Sequence, residues 1–187
     1  MSVIEAIKKR RSIGVVSDQE VSDALIQKLL DAAIWAPTHK RTEPWLFRVV
    51  KGDARVKLGE EMARIIAKKT AGLGEEEAKK KVEKVRRGPL RAPVVIVVAC
   101  RPTGVVPDIE EIVACGCALQ NMLLAAEDLG LAAMVRTGEI AFEKELNKHL
   151  QLEGDDKIIG FVYVGYAKKE FNIKGIRTPA EEKTVWL

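Results

Sequence analysis

Apolar positions along the chain follow two rhythms, one helical and one alternating. Val3, Ile4 and Ile7 share a face, and Lys8 and Lys9 close it, which predicts a short helix from Ser2 to Lys9. Leu25, Ile26, Leu29, Leu30 and Ala33 recur at helical spacing behind a Ser22 N-cap and before Pro37, which predicts a second helix over 21–36. The 36–45 stretch, APTHKRTEPW, carries two prolines and little periodicity, and reads as a loop. Trp45 to Val50 alternates and is β-rich. Asp53–Lys69 and Glu75–Arg87 read as charged amphipathic helices parted at Gly72 and Gly74. Pro93 then precedes VVIVVAC, a strand apolar enough to be covered on both faces. Further strands are predicted at 131–136 and 157–166, with a helix over 142–150. The pattern is α+β: one domain over 1–187, with a four- or five-stranded sheet flanked by helices. The extension from 167 to 187 lacks periodicity but ends in Val185, Trp186 and Leu187, apolar residues suited to packing on a second subunit.

The central stretch from Asp108 to Gly130 reads as one long helix. Pro107 and Asp108 suit its start, Glu110 and Glu111 favour the positive end of its dipole, and Gly130 suits its stop. At 1.5 Å per residue it would span roughly 33 Å. It is apolar or small on nearly every face, so it is expected to be buried on all sides. Small residues at 114–118 permit close approach of another backbone, and a long central helix packed against its own copy is the preferred expectation. Acidic residues bracket it closely, and no uninterrupted apolar run reaches about 18 residues, which argues against a membrane span.

Composition narrows the classes. Hydrophobic residues make up 47% and charged residues 31% of the chain, as in a soluble globular domain with a real core. The N-terminus has no apolar stretch long enough for a signal peptide. Three cysteines, two of them in the apolar helix, fit reduced thiols in a cytoplasmic setting. Two distant histidines and no CxxC leave no metal signature. The net charge of +4 is local: residues 55–91 carry 12 Lys and Arg against 6 Glu, and the rest of the chain sums to −2. That distribution suits a solvated helical face rather than a nucleic-acid surface.

Three stretches carry candidate chemistry. Arg10, Arg11 and Ser12 offer two guanidiniums and a hydroxyl that can form charge-assisted hydrogen bonds to a phosphate. The 36–45 loop sets His39, Lys40 and Arg41 between stiffening prolines. Val135, Arg136, Thr137 and Gly138 lie at the end of a buried strand, where α/β sheets often meet ligands. Neither GxGxxG, nor GxxxxGK[ST], nor GxSxG is present. A site with no evident acid, base or nucleophile borrows its chemistry from a cofactor.

In this order the stretches resemble the nitroreductase family of FMN enzymes over nearly the whole chain. The likeness comprises an N-terminal helix followed by RRS, an AP…PW loop, a RAPVVIVV strand, a long apolar helix ending in LG, and a strand leading to R-T-G. The APxHK before PW and the R-S/T-G turn resemble its subgroup of small NAD(P)H nitroreductases. The resemblance implies a nitroreductase-like fold and a homodimer with two interfacial FMN sites. It implies hydride transfer from NAD(P)H through the flavin to a small nitro compound or quinone, with ping-pong kinetics and the chemistry carried by the flavin. The alternative is a flavin-binding or flavin-storing protein of the same fold. Carried onto this sequence, Arg10, Arg11, Ser12, Val135, Arg136 and Thr137 would hold the flavin from one chain. Trp35 and His39 would come from the other. The chain departs from the family at Gly14, where many members carry Arg, at Arg41 and Glu43, where Asn and Gln are usual, and at Trp35, where the subgroup has Arg. The Glu75–Arg87 helix is expected to form a wall or lid of the acceptor opening.

Overall fold

A computed structural model of the chain describes residues 2–171 and 173–187. A four-stranded sheet lies at its centre, with helices on both faces. The strands are β1 (Trp45–Lys51), β2 (Val94–Cys100), β3 (Ala132–Arg136) and β4 (Lys157–Gly165). Their spatial order is β1-β2-β4-β3 and every neighbouring pair is antiparallel. Among the described residues the strand count is four, the lower of the two expected. β2 is buried at all seven positions. Alternation divides it between two cores: Ile96, Val98 and Cys100 face one, and Val95, Val97 and Ala99 face the other.

The first core is covered by α2 (Asp23–Ala33) and α5 (Asp108–Asp128), which contribute Ile26, Leu29, Ala118 and Met122. The second is covered by α3 (Asp53–Ala67) and α6 (Lys144–His149), through Leu58, Met62, Ile65 and Leu146. The remaining helices are α1 (Val3–Lys9) and α4 (Glu75–Arg86). Ser2 caps α1 in a reciprocal capping box with Glu5, and the Ser22 hydroxyl accepts from the Leu25 N–H at the start of α2. α2 stops at Ala33, three residues short of the expected end, as the chain turns toward Pro37. The predicted 142–150 helix is present but shorter, as α6, and a 3₁₀ turn, Glu139–Phe142, precedes it.

α5 ends as its sequence predicts. Gly130 adopts φ 71°, a left-handed conformation that costs glycine nothing. The Leu131 N–H reaches the Ala126 carbonyl and the Gly130 N–H reaches that of Glu127, the paired bonds of a Schellman stop. Expected burial on every side of α5 is not met within one chain. Ala114, Cys115, Ala118, Met122 and Ala126 are buried, but Ile109 and Val113 face outward, with Val113 57% exposed. One sheet and one helix layer can cover only part of a helix surface, so the remainder stays open. By length and composition α5 would suffice to cross a membrane, yet its inner face forms part of this core.

The segment after α1 is anchored on the sheet. Ser12 bridges to Ala133 in parallel, and Val16 bridges to Ala167 antiparallel. Residues 12–13 thereby run beside β3, and residues 15–17 beside the chain that follows β4. Among the described residues of 167–187 there is no strand and one 3₁₀ turn, Ala180–Lys183, and Trp186 is 93% exposed.

Candidate functional site

Two of the three candidate stretches meet. The Ile13 N–H donates to the Ala133 carbonyl at 3.1 Å, so the 10–14 segment runs beside the strand that ends in Arg136. Gly14 marks the closest approach: a Cβ there would lie 2.6 Å from Met134 Sδ and 3.1 Å from Arg136 Nη2. The residue that departs from the family's Arg thus leaves room for the guanidinium of Arg136. That group sits over the Tyr163 ring, 5.5 Å from its centroid. Burial pushes the Tyr163 phenol above its ordinary value, and the nearby Arg136 charge opposes the rise only in part.

The Nε atoms of Arg10 and Arg136 are both buried without a hydrogen-bond partner among the described residues. Buried donors are nearly always paired, because leaving one unpaired costs about 1–3 kcal/mol. Two orphaned guanidinium donors on neighbouring backbone segments fit an anionic ligand. Arg11 behaves differently. Its Nη1 donates to the carbonyls of Lys8 (2.6 Å), Lys9 (3.1 Å) and Arg10 (2.9 Å), and its Nε to that of Ile173 (2.7 Å). It ties the open carbonyls at the end of α1 to the C-terminal extension. Ser12 and Thr137 are exposed, and Val135 is half-buried against Gly160.

A cavity of 320 Å³ opens at the end of β3, with Arg136 and Thr137 on one side and Lys81, Lys84 and Arg91 on the other. α4 therefore forms a wall of the space next to the predicted flavin residues. Lys81 pairs with Glu139 across the rim at 2.8 Å. Lys84, Arg91 and Arg136 have no ion pair among the described residues. Sequence reasoning missed Arg91 and Tyr163. Arg91 was hidden within a segment read as a solvated face, although its place directly before the buried strand was a usable signal. Tyr163 lies two residues from Phe161 on one strand face, but its pairing opposite Met134 required the fold.

Trp35 and His39 lie elsewhere in the chain. Trp35 is 85% exposed and lines a 500 Å³ groove between α1, α2 and α5, with Val3, Ala6 and Leu124. His39 Nδ1 lies 2.6 Å from Glu110 Oε2, at the start of α5. Among the described residues no hydrogen bond or shared cavity joins either to Arg10 or Arg136. The loop around His39 is strained: Lys40, Arg41 and Glu43 all hold positive φ, at 51°, 55° and 45°. Non-glycine residues in that region cost about 1–3 kcal/mol each and gather at ligand sites. Thr38 steadies the turn, its hydroxyl accepting from the Glu43 N–H at 3.2 Å.

Known proteins resemble this chain over most of its length. The chain is 29% identical over 167 residues to "Putative NAD(P)H nitroreductase YdjA" of Escherichia coli strain K12, covering 88% of both chains. The structure of the nitroreductase-like family protein from Bacillus cereus superposes with a TM-score of 0.86 at 28% identity, covering 100% of this chain and 96% of that one. A "putative nitroreductase in complex with FMN" from Desulfovibrio desulfuricans gives 0.76 at 28% identity, covering 100% and 97%. The model of the nitroreductase family matches residues 7–166, from α1 through the end of β4. By that match the chain belongs to the nitroreductase family.

Proposed function

We propose that the protein is an FMN-dependent NAD(P)H oxidoreductase that works as a homodimer. The carrying observation is the pair of orphaned buried donors, Arg10 Nε and Arg136 Nε, on adjoining segments in a chain of this family. The FMN-bound and NAD(P)H-named relatives support the choice of cofactor and reductant. When bound, FMN supplies hydride transfer from NAD(P)H to a small nitro compound or quinone in alternate turns.

The protein's own part is binding and electrostatics. Arg10 and Arg136 donate charge-assisted hydrogen bonds to the anionic cofactor. Tyr163 holds the Arg136 guanidinium from beneath and remains neutral. Ser12 and Thr137 add neutral donors at the two segment ends, and Val135 packs beside them. Arg11 braces the segment through its four carbonyl contacts. Cationic groups near a ring that gains negative charge on reduction favour the reduced form, and in a water-poor seam they act more strongly than in solvent. Trp35 and His39 belong to the partner's half of each site.

The dimer is supported by the apolar surface that one chain leaves open. Ile109 and Val113 on α5, and Val3, Ile4 and Ile7 on α1, are exposed. Patches of that kind mark interaction surfaces. The 167–187 extension, with Val185, Trp186 and Leu187 exposed, packs on the partner in this reading. Cys100 and Cys115 are buried free thiols, which fits a reducing cytoplasmic setting. The neighbouring Cys100 thiol, with burial, pushes the Cys115 thiol up, and Cys115 Sγ donates to the Ala99 carbonyl at 3.8 Å.

The purified protein should be yellow, with flavin absorbance bleached by NADH or NADPH under anaerobic conditions and restored by a quinone. A colourless preparation that ignores added FMN rejects the proposal.

A further inference from the structure

Helix α5 begins beside the strained loop that carries His39. The ring Nδ1 of His39 lies 2.6 Å from Oε2 of Glu110, in the first turn of α5. An ionised carboxylate only accepts, so Nδ1 carries the hydrogen, and in the neutral ring Nε2 is left as an acceptor. Nε2 makes no hydrogen bond among the described residues. Glu110 is held by α5 itself, whose inner face lies in the core, and its N–H donates to the Pro107 carbonyl at 2.9 Å. His39 is held by a turn in which the Thr42 N–H donates to its carbonyl at 3.2 Å and the Thr38 and Thr42 hydroxyls share a bond of 3.1 Å. The two side chains are 57% and 42% exposed, and so open a pair adds little to the stability of one chain. That gain does not offset the three left-handed residues that follow His39 in the loop. Glu110 adjoins Ile109 and lies one turn from Val113, both exposed on the open face of α5. The ring is thereby held at the edge of the surface assigned to the second subunit.

We propose that Glu110 is a positioning residue for the flavin site. It holds His39 in the Nδ1–H form, so that Nε2 accepts a hydrogen bond from an O–H or N–H group of the cofactor. The inference rests on the proposed function for the identity of that cofactor. Arg10 and Arg136 meet its negative charge, whereas a lone pair at Nε2 disfavours phosphate and selects a neutral donor. Fixing the tautomer and the ring plane before binding removes that ordering cost from the binding step.

The test joins nitrogen NMR to flavin titration. NMR of the cofactor-free protein at about pH 9, where histidine rings are ordinarily neutral, reports which nitrogen carries the hydrogen. His149 is the only other histidine, and His149→Gln assigns the signals. The wild type and Glu110→Gln, which keeps a carbonyl acceptor, should show Nδ1–H at His39, and Glu110→Ala should shift toward Nε2–H. Fluorescence titrations then compare FMN with riboflavin, which lacks the phosphate. Glu110→Ala should weaken both by the same factor, about twofold to tenfold, the loss expected for one neutral hydrogen bond, and Glu110→Gln should recover most of it. Both variants remove the favourable charge at the helix start, so equal losses in the two would leave Glu110 only a helix-start role and overturn the proposal. An Nε2–H ring in the wild type overturns it, as does a loss confined to FMN, which would set the ring at the phosphate. A wild type that binds neither flavin overturns the functional reading; one that binds both, with the same affinities in every variant, overturns this inference alone.

Discussion

Replacing Arg136 by alanine separates a ligand-binding role from a structural one. In the protein without cofactor, two terms offset each other. Removing the guanidinium forfeits its contact with the Tyr163 ring, worth about 0.5–2 kcal/mol. It also removes a buried Nε without a partner, a defect of about 1–3 kcal/mol. The net change should stay within about 1 kcal/mol, or roughly 2–4 °C in Tm for a chain of this length. With FMN present the balance tips. A lost charge-assisted bond weakens FMN binding about tenfold to a hundredfold. At an FMN concentration a hundred times the wild-type Kd, the cofactor stabilises the wild type by about 2.7 kcal/mol, and the variant by about 1.4 kcal/mol or less. Thermal melts with and without FMN, combined with a fluorescence titration of FMN, read both terms. An Arg136→Ala protein that melts more than about 5 °C lower without cofactor, yet binds FMN as tightly as the wild type, would refute the assignment.

Three other outcomes test separate features. Val113→Glu places a carboxylate on the open face of α5, where burial of an unpaired charge costs several kcal/mol, so sedimentation should show a folded monomer that has lost flavin; a dimer of unchanged affinity argues against that face. Gly59→Ala would bring a Cβ to 2.2 Å from the Arg86 carbonyl oxygen, forcing α3 and α4 apart at a cost of about 1–3 kcal/mol in urea unfolding; an unchanged midpoint would mean that the contact is loose. The Asp156 carboxylate accepts from Arg101 at 2.9 and 2.7 Å, and this pairing chiefly holds its pKa below the ordinary 3.8. Its contribution is therefore full above pH 3.8 and lost as pH falls through the depressed value. Asp156→Asn should cost about 2 kcal/mol at neutral pH, after allowance for the half-exposed Arg101, and flatten the acid limb of the stability curve; an acid limb of unchanged steepness would show that other carboxylates dominate.

The elements were legible because their signals are local. Ser2 and Ser22 cap the helices they precede, Gly130 stops α5, and Pro93 introduces a strand with no polar position. What escaped depends on several segments at once. The 3₁₀ turn at Glu139–Phe142, which brings Ile140 to the cavity ahead of the predicted 142–150 helix, spans too few residues for any periodicity to announce it. The site shows the same contrast. Arg10 and Arg136 stand out in the sequence as charges beside apolar elements, and they meet as neighbours because Ser12 bridges to Ala133. Arg11 looks equivalent to Arg10 in sequence. Only the fold shows that its donors are already engaged, by the carbonyls at the end of α1 and by that of Ile173. Lys84 belongs to a helix whose charge pattern is that of any solvated face, and only the fold sets it on the wall of the cavity beside Arg136.

Helix α4 has no fully buried side chain and meets the second core only through the half-buried Val85, although it walls the cavity beside Arg136. Apart from Val85 and the close seat of Arg86 on Gly59, its sequence can therefore drift under lineage-specific demands without imperilling the scaffold. Grafting this helix from one relative into another should transplant chemical taste while the recipient keeps its architecture.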